Sequence, residues 1–274
     1  MWPWIAAAIA AGGLAIGTTA LVRHRRQRDQ LYAELAQQRQ EIVERHPIAI
    51  AATADRLQLA ADFARDVMVR VPRFVSDECL SALRAEALEN LPRVERSFIP
   101  AHKKGGTLCY ETISRYAPQC LSFYHSPAVQ EWVQSITGER VYPTRDQDQS
   151  SLSLLCYNEP GDHINWHFDH NFYHGRHFTV LLSLVNESAE GGVSQSRLQR
   201  KTPTGDIVEL DTSANTLVVF EGARVLHRAS PTGPGDVRLM LSMTYCTDPR
   251  IHWSKEFFRR VKDTAYYGMR ALWD

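Results

Sequence analysis

The stretch from Tyr157 to Asp169 reads YNEPGDHINWHFD and contains the most informative spacing in the chain. His167 and Asp169 are two residues apart, so on a β-strand both side chains would point to the same face. An imidazole and a carboxylate on one face can bind the same metal ion. Glycine, proline, asparagine and aspartate just before this pair mark a turn between two strands. The stretch therefore predicts a metal site at the edge of a β-domain.

Short apolar runs rich in β-branched residues continue through the second half of the chain. They include Leu152–Tyr157, Phe178–Val185, Thr216–Phe220 and Arg238–Tyr245. Several short strands separated by turn signals favour a sandwich or a closed barrel. Helical patterns precede these strands, so we expect helices packed on one side of the barrel, in an α+β fold.

His227 follows an apolar strand and is the best candidate for a second imidazole ligand. A 2-His-1-carboxylate set of His167, Asp169 and His227 leaves positions on the metal open and is typical of non-haem iron(II) oxygenases. Arg238 opens the next strand, and a guanidinium binds a carboxylate through two parallel hydrogen bonds. The prolines and glycines between His227 and Arg238 predict a hairpin, with Ser242 on the same strand face as Arg238.

In this order and setting, the features resemble the iron(II)/2-oxoglutarate-dependent dioxygenase superfamily, and most closely its prolyl-4-hydroxylase-like branch. The resemblance spans about Val69 to Tyr245. Besides the residues above, it rests on Arg73–Leu83, Gly161-Asp162, Gly175–Val185, Gly191-Gly192 and Leu217–Phe220. It implies a double-stranded β-helix, the jelly-roll barrel of cupins, preceded and flanked by helices.

The resemblance also implies a ligand set and a reaction. Iron(II) is expected on His167, Asp169 and His227, and the cosubstrate 2-oxoglutarate on Arg238 with Tyr157 as a second contact. Ser242 is a further candidate for the cosubstrate pocket, and ascorbate is an optional accessory cofactor. The implied reaction is hydroxylation with release of succinate and carbon dioxide. Related halogenases lack the carboxylate ligand because halide takes its position, so Asp169 favours hydroxylation.

Two other interpretations stay open at this point. His163, His170, His174 and His177 crowd around the motif, and a zinc or cupin-type site would use several of them. A degenerate barrel that binds metal without turnover, such as an oxygen or iron sensor, is the other interpretation. Arg238 argues against degeneracy, because an inactive site has no need to keep a charge inside a barrel.

The N-terminus predicts a membrane anchor. Met1 to Val22 contains no charged residue and just meets the length of about 20 apolar residues that a spanning helix needs. Four arginines follow between residues 23 and 28, whereas a cleaved signal peptide would carry its charge before the apolar run. The positive-inside rule then predicts a single-pass membrane protein whose catalytic domain faces the cytoplasm. A buried helix or a cleaved leader is the alternative.

The remaining patterns predict the domain organisation. We expect an anchor at 1–22, a juxtamembrane helical segment at 23–68, the dioxygenase domain at 69–250 and a C-terminal helix at 251–274. Within these we expect a solvated helix at 23–45, a helix from Ile48 to Val67, and a helix after Ser76 that buries Cys79, Leu80, Leu83 and Leu88. Residues 101–122 predict a mobile loop.

Composition narrows the class of partner. The 31 basic and 31 acidic residues cancel, which gives no electrostatic argument for nucleic acid. The five cysteines are scattered and form no CxxC pair, which disfavours a disulfide framework or a structural zinc site. We expect a small-molecule, lipid or peptide substrate and contact with a membrane through the N-terminal helix. The sequence does not indicate an oligomeric state.

Overall fold

A computed structural model of the chain describes residue 23, residues 26–251 and residues 255, 256, 258, 259 and 261. The predicted anchor at 1–22 and most of the predicted C-terminal helix lie outside these residues. Within the described part of the chain, no helix is both long enough and apolar enough to cross a membrane.

Apart from five helical residues near the C-terminus (255, 256, 258, 259 and 261), the described helices lie in the first half of the chain, and the strands lie mainly in the second half. The helices are α1 (26–45), α2 (Arg56–Asp66), α3 (Asp77–Glu89), α4 (Tyr110–Tyr116), α5 (Pro118–His125) and α6 (Pro127–Thr137). The strands are β1 (Met68–Val71), β2 (Glu95–Ile99), β3 (Lys103–Leu108), β4 (Tyr142–Pro143), β5 (Leu152–Tyr157), β6 (His163–His167), β7 (His177–Glu187), β8 (Leu198–Lys201), β9 (Ile207–Leu210), β10 (Leu217–Phe220), β11 (His227–Ala229) and β12 (Val237–Cys246).

The strands form one antiparallel sheet that curls into a nearly closed barrel. Hydrogen-bonded neighbours follow the order β1-β10-β7-β12-β5-β3-β6-β11-β8-β9, with β2 added to β3 and β4 added to β12. Strand β3 pairs with both β5 and β6 and so joins the broad side of the barrel to the narrow side. This architecture fits the predicted α+β double-stranded β-helix with flanking helices.

Strand β7 contributes one face to the apolar core beneath the helices and the other face to the cavity inside the barrel. Phe178, Val180 and Leu182 belong to the main apolar core beneath the helices. The alternate residues Thr179 and Leu181 line the central cavity. Because successive side chains of a strand point to opposite faces, one strand serves both layers. All of these residues are buried, so the strand reads as a nearly continuous apolar run.

The helix predicted after Ser76 is confirmed as α3, whose first turn is capped when Cys79 N donates to Ser76 Oγ. Its predicted buried face is only partly right, since Leu83 is buried and Leu88 is exposed. Glu86 is buried on this helix instead. Its carboxylate accepts hydrogen bonds from backbone N–H groups at the start of α5, which satisfies donors that a helix N-terminus leaves free.

The prediction of a mobile loop at 101–122 is wrong, because these residues form β3, α4 and part of α5. Two glycines that suggested a loop instead allow close packing of strands. A Cβ on Gly106 would lie 2.3 Å from Val94 Cγ1, and one on Gly105 would lie 3.3 Å from the ring of Tyr157. The glycines therefore let β3 approach its neighbours.

The helices before the barrel also differ from prediction. The helix expected from Ile48 begins only at Arg56, because Asp55 caps it and Ile50 is held in a β-bridge with Val75. The helix expected at 23–45 is present as α1 and most of its described residues are at least partly exposed, but Tyr32 and Leu35 are buried against the rest of the chain. Polar contacts reinforce this packing, with Arg39 paired to Asp146 at 2.9 Å.

Candidate metal centre

Two histidines from neighbouring strands form one side of the site. His167 ends β6 and His227 begins β11, and the two residues are directly paired across the strands. His167 Nδ1 lies 2.7 Å from the carbonyl oxygen of Asn165, and His227 Nδ1 lies 2.9 Å from that of Val225. A carbonyl only accepts, so both Nδ1 atoms carry the proton and both Nε2 atoms are left to bind a metal.

Asp169 supplies the third group from just beyond the strand. The prediction that His167 and Asp169 share a strand is wrong in this detail, because β6 ends at His167. The backbone N–H of Asp169 donates to Gly222 O at 3.0 Å, which fixes its place. Its Oδ1 lies 3.5 Å from His167 Nε2 and 3.8 Å from His227 Nε2. Ligand atoms of the three residues all lie within 4.8 Å of one another.

The protonation states suit a cation. Burial acts to raise the pKa of the Asp169 carboxyl, but the neighbouring imidazoles of His227 and His167 and a hydrogen bond from Thr179 hold it below its ordinary value. Burial lowers the pKa of His227. At neutral pH the carboxylate is therefore charged and the buried imidazole is neutral, which is the state that a metal requires of its ligands.

Arg238 and Tyr157 meet on adjacent strands, opposite each other in the pairing of β12 with β5. The guanidinium carbon of Arg238 lies 5.5 Å from the centre of the Tyr157 ring. Arg238 is only 2% exposed, and its Nε has no hydrogen-bond partner among the described residues. Burial lowers the pKa of Arg238. A buried cation with an unused donor is costly unless an anion joins it, so this position fits a carboxylate.

Ser242 lines the same cavity as Arg238, as expected from its place on the same face of β12. The predicted hairpin between His227 and Arg238 is wrong. Strand β11 pairs with β6 and β8, whereas β12 pairs with β5, β7 and β4. The segment between them crosses from the narrow side of the barrel to the broad side. This crossing brings the second imidazole and the guanidinium into one interior from opposite sides of the barrel.

Sequence reasoning missed Lys103 as a residue of this site. It lies on β3, is 2% exposed and lines the cavity that contains Arg238. Its Nζ donates to Thr107 Oγ1 at 2.9 Å, and burial lowers its pKa to about 8. If residues 103–108 had been predicted as a strand, the alternation of Lys103, Gly105 and Thr107 would have placed them on one face. Gly105 and Gly106 instead favoured a loop.

The cavity itself measures about 180 Å³ and extends past the triad to a second polar region. Asp148, Ser150, Ser153, His177 and Thr244 line that region. Of the four histidines around the motif, His170 and His177 reach the cavity. Across the described residues, however, the only set of three metal-binding side chains that converges is the predicted triad. This arrangement does not fit a centre with several additional histidines.

Comparison with known proteins agrees with this geometry. The sequence model of a family described as halogenase D matches residues 51–266, a span that includes the whole barrel and all three ligands. The chain belongs to the halogenase D family. A search of curated proteins finds no match to this family member.

Solved structures with the same fold include three relevant relatives of this family member. A prolyl-4-hydroxylase from Pseudomonas putida has a TM-score of 0.55 and 18% identity, over 72% of this chain and 100% of that one. The non-haem α-ketoglutarate-dependent epimerase SnoN from nogalamycin biosynthesis has a TM-score of 0.58 and 16% identity, over 70% of this chain and 80% of that one. An oxidoreductase of the 2OG-Fe(II) oxygenase family from Burkholderia pseudomallei has a TM-score of 0.58 and 13% identity, over 73% of this chain and 95% of that one.

Identities this low establish the fold, and the family match extends over most of the chain. The shared fold and the family match agree with the superfamily predicted from the sequence, and a prolyl-4-hydroxylase is among the structural relatives. Dependence on iron(II) or α-ketoglutarate is stated in the descriptions of the other two relatives.

Proposed function

We propose that the chain is an iron(II)- and 2-oxoglutarate-dependent oxygenase that hydroxylates an unactivated C–H bond of its substrate. One observation carries the proposal. Three ligand atoms converge within 4.8 Å in the same cavity as a buried guanidinium that has an unused donor. A triad with open positions suits iron, and the guanidinium suits the distal carboxylate of a keto acid.

The residues divide the work of such a site. His167 and His227 would hold iron through Nε2 and Asp169 through Oδ1, while Arg238 would bind the distal carboxylate of 2-oxoglutarate. When bound, iron and 2-oxoglutarate supply an oxidant from dioxygen, with release of succinate and carbon dioxide. Leu155, Leu181, Leu198, Phe220 and Met240 line the cavity and limit the water around the reacting atoms.

Within a family named for halogenases, Asp169 supports hydroxylation. A halide ligand needs the metal position that a carboxylate fills, and here Oδ1 of Asp169 faces both histidine Nε2 atoms. The remaining oxygen, Oδ2, accepts a hydrogen bond from Thr179 at 2.6 Å. The carboxylate is therefore held in the ligand position by contacts of its own, and we propose oxygen transfer rather than halide transfer.

Slow turnover without substrate tests this function. The full chain would be given iron(II), 2-oxoglutarate, ascorbate and dioxygen, and succinate would be measured by mass spectrometry. We expect succinate from the wild type, none above background from Asp169→Ala, and no dependence on added chloride. Succinate at equal rates in both proteins would contradict the proposed centre, and a requirement for chloride would contradict hydroxylation.

We further propose that the catalytic domain is held at a membrane, on its cytoplasmic side, by a single N-terminal helix. The uncharged run at 1–22 and the arginines after it support this placement. Such an anchor favours a lipid, a lipid-linked precursor or a membrane protein as substrate. Structural relatives described with a peptide or with nogalamycin RO support the alternative of a soluble peptide, amino acid or secondary metabolite.

Cell fractionation tests the anchor separately from the chemistry. We expect the full chain in the membrane fraction, resistant to high salt, and a chain that begins at residue 23 in the soluble fraction. Both should form succinate at similar rates without substrate. Full-length protein in the soluble fraction would contradict the anchor. Binding of iron and cosubstrate with no turnover on any substrate class would favour the sensor over the enzyme.

A further inference from the structure

The Asp169 side chain lies in a space that a glycine leaves open. A Cβ built on Gly222 would lie 2.1 Å from Asp169 Oδ2, 2.6 Å from its Cβ and 2.7 Å from its Cγ. Real Cβ atoms do not approach other heavy atoms so closely, and the three nearest atoms all belong to Asp169. Any side chain at position 222 would therefore compete with the carboxylate for the same volume.

Backbone conformation does not account for this glycine. Gly222 is not among the residues with positive φ, so an L-residue is compatible with its main-chain geometry. Its carbonyl accepts the N–H of Asp169 at 3.0 Å, which draws the two segments together. Glycine at position 222 is explained by the close approach of the Asp169 carboxylate.

Thr179 contacts the same carboxylate through a hydrogen bond. It lies on β7 opposite Phe220, the last residue of β10, and Gly222 follows Phe220 by two residues. Thr179 Oγ1 donates to Asp169 Oδ2 at 2.6 Å. With Oδ2 held in this bond, Oδ1 is the oxygen that faces Nε2 of His167 and His227.

We infer that Gly222 and Thr179 are positioning residues that commit this centre to a carboxylate ligand. Gly222 provides the volume for the side chain of Asp169, and Thr179 selects which carboxylate oxygen faces the metal. The inference rests on the proposed function, because it assigns these residues a role toward the iron ligand. It also means that the choice of ligand depends on Thr179 of β7 and on the turn that follows β10, and not only on residue 169.

A double-mutant cycle tests the role of Gly222. Iron(II) affinity of the full chain would be measured anaerobically by competition with a chromogenic chelator, together with the melting temperature of the metal-free protein. We expect Gly222→Ala to weaken iron binding by about tenfold or more and to lower the melting temperature. In an Asp169→Gly background, the same substitution should change the iron affinity by less than about twofold and the melting temperature little.

A matched control separates crowding at the centre from crowding elsewhere. Gly106→Ala also creates a contact below 3 Å, but with Val94 on the outside of β3. It should lower the melting temperature and leave the iron affinity of the folded protein unchanged. An equal effect of Gly222→Ala in both backgrounds, on either measurement, would overturn the role assigned to Gly222. So would an unchanged iron affinity in the single variant.

Thr179 is tested by conservative replacement. Thr179→Val removes the hydroxyl at nearly constant volume and should weaken iron binding by about three- to tenfold, whereas Thr179→Ser should restore it. The d–d absorption spectrum of bound cobalt(II) should change in Thr179→Val and return in Thr179→Ser. Equal behaviour of the valine and serine variants would overturn the assignment. Absence of iron binding in folded wild-type protein would instead mean that the proposed function has failed.

Discussion

The cavity has two chemically different ends along the inner face of β12. At one end lies Arg238, a buried cation whose Nε has no hydrogen-bond partner among the described residues. The buried Lys103 also lines the cavity, where its Nζ donates to Thr107. At the other end lies Thr244, whose N–H donates to Ser151 O at 2.9 Å in the segment that carries Asp148. Asp148 is buried and lines the cavity. The first end suits a dicarboxylate cosubstrate, whereas the second presents one carboxylate, the imidazole of His177 and several hydroxyl groups.

Loss of a metal ligand should reduce activity most, because cosubstrate binding and oxidation of the substrate both require the metal. His227→Ala removes one of three ligands, and we expect iron(II) affinity to fall by more than about 100-fold. Metal content after desalting, measured by plasma mass spectrometry, checks this. His174→Ala is the matched control, since His174 is exposed and outside the triad. Similar iron contents in the two variants would contradict the ligand assignment.

Removal of the cation should affect one end only. Arg238→Ala should raise the 2-oxoglutarate concentration for half-saturation by about 100-fold, because a buried carboxylate would lose its charged partner. Iron affinity in the absence of 2-oxoglutarate should stay within about twofold of wild type. An anaerobic 2-oxoglutarate titration followed by absorbance gives the first value, and competition with a chromogenic chelator gives the second. A parallel loss of iron binding would mean that the guanidinium supports the fold and not the cosubstrate.

Lys103 predicts a pH dependence of stability. Its pKa is about 8 in the folded chain against 10.5 ordinarily, so between these values the unfolded chain binds a proton that the folded chain lacks. The contribution of this group to stability therefore rises with pH across this window, by about 3 kcal/mol. Buried thiols also titrate there, but they do so in both proteins, so urea unfolding should show the stability of the wild type rising relative to that of Lys103→Met. Parallel pH profiles would contradict a desolvated lysine.

Asp148→Asn changes the end of the cavity away from Arg238, so we expect it to have the smallest effect on 2-oxoglutarate binding. The variant weakens the hydrogen bond that Tyr173 Oη donates to Asp148 Oδ2 at 2.6 Å, so we expect about 1–2 kcal/mol less stability. The affinity for 2-oxoglutarate should change by less than about twofold. Calorimetry and the same anaerobic titration check both. A large loss of cosubstrate binding would show that the two ends are not independent.

The positions of several barrel strands were predictable from the sequence, because each strand must place apolar side chains on the face that packs in the core. Strand β5 matches its predicted range, and β10 and β12 match within one or two residues at each end. The triad was predictable from the spacing of His167 and Asp169 together with the place of His227 after an apolar strand and the family resemblance, although Asp169 lies beyond its strand. In contrast, contacts between distant segments leave no periodic signal. The space that Gly222 leaves for Asp169, the inward direction of Lys103 and the burial of Tyr32 in α1 all depend on which segments meet in the folded chain.

The most direct test of the account is the absorbance of the full chain with iron(II) and 2-oxoglutarate under anaerobic conditions. We expect a weak visible charge-transfer band in the wild type, no band in Asp169→Ala or His227→Ala, and a band in Arg238→Ala only at a much higher concentration of 2-oxoglutarate. A folded, iron-loaded wild type that forms no band at any 2-oxoglutarate concentration would contradict it.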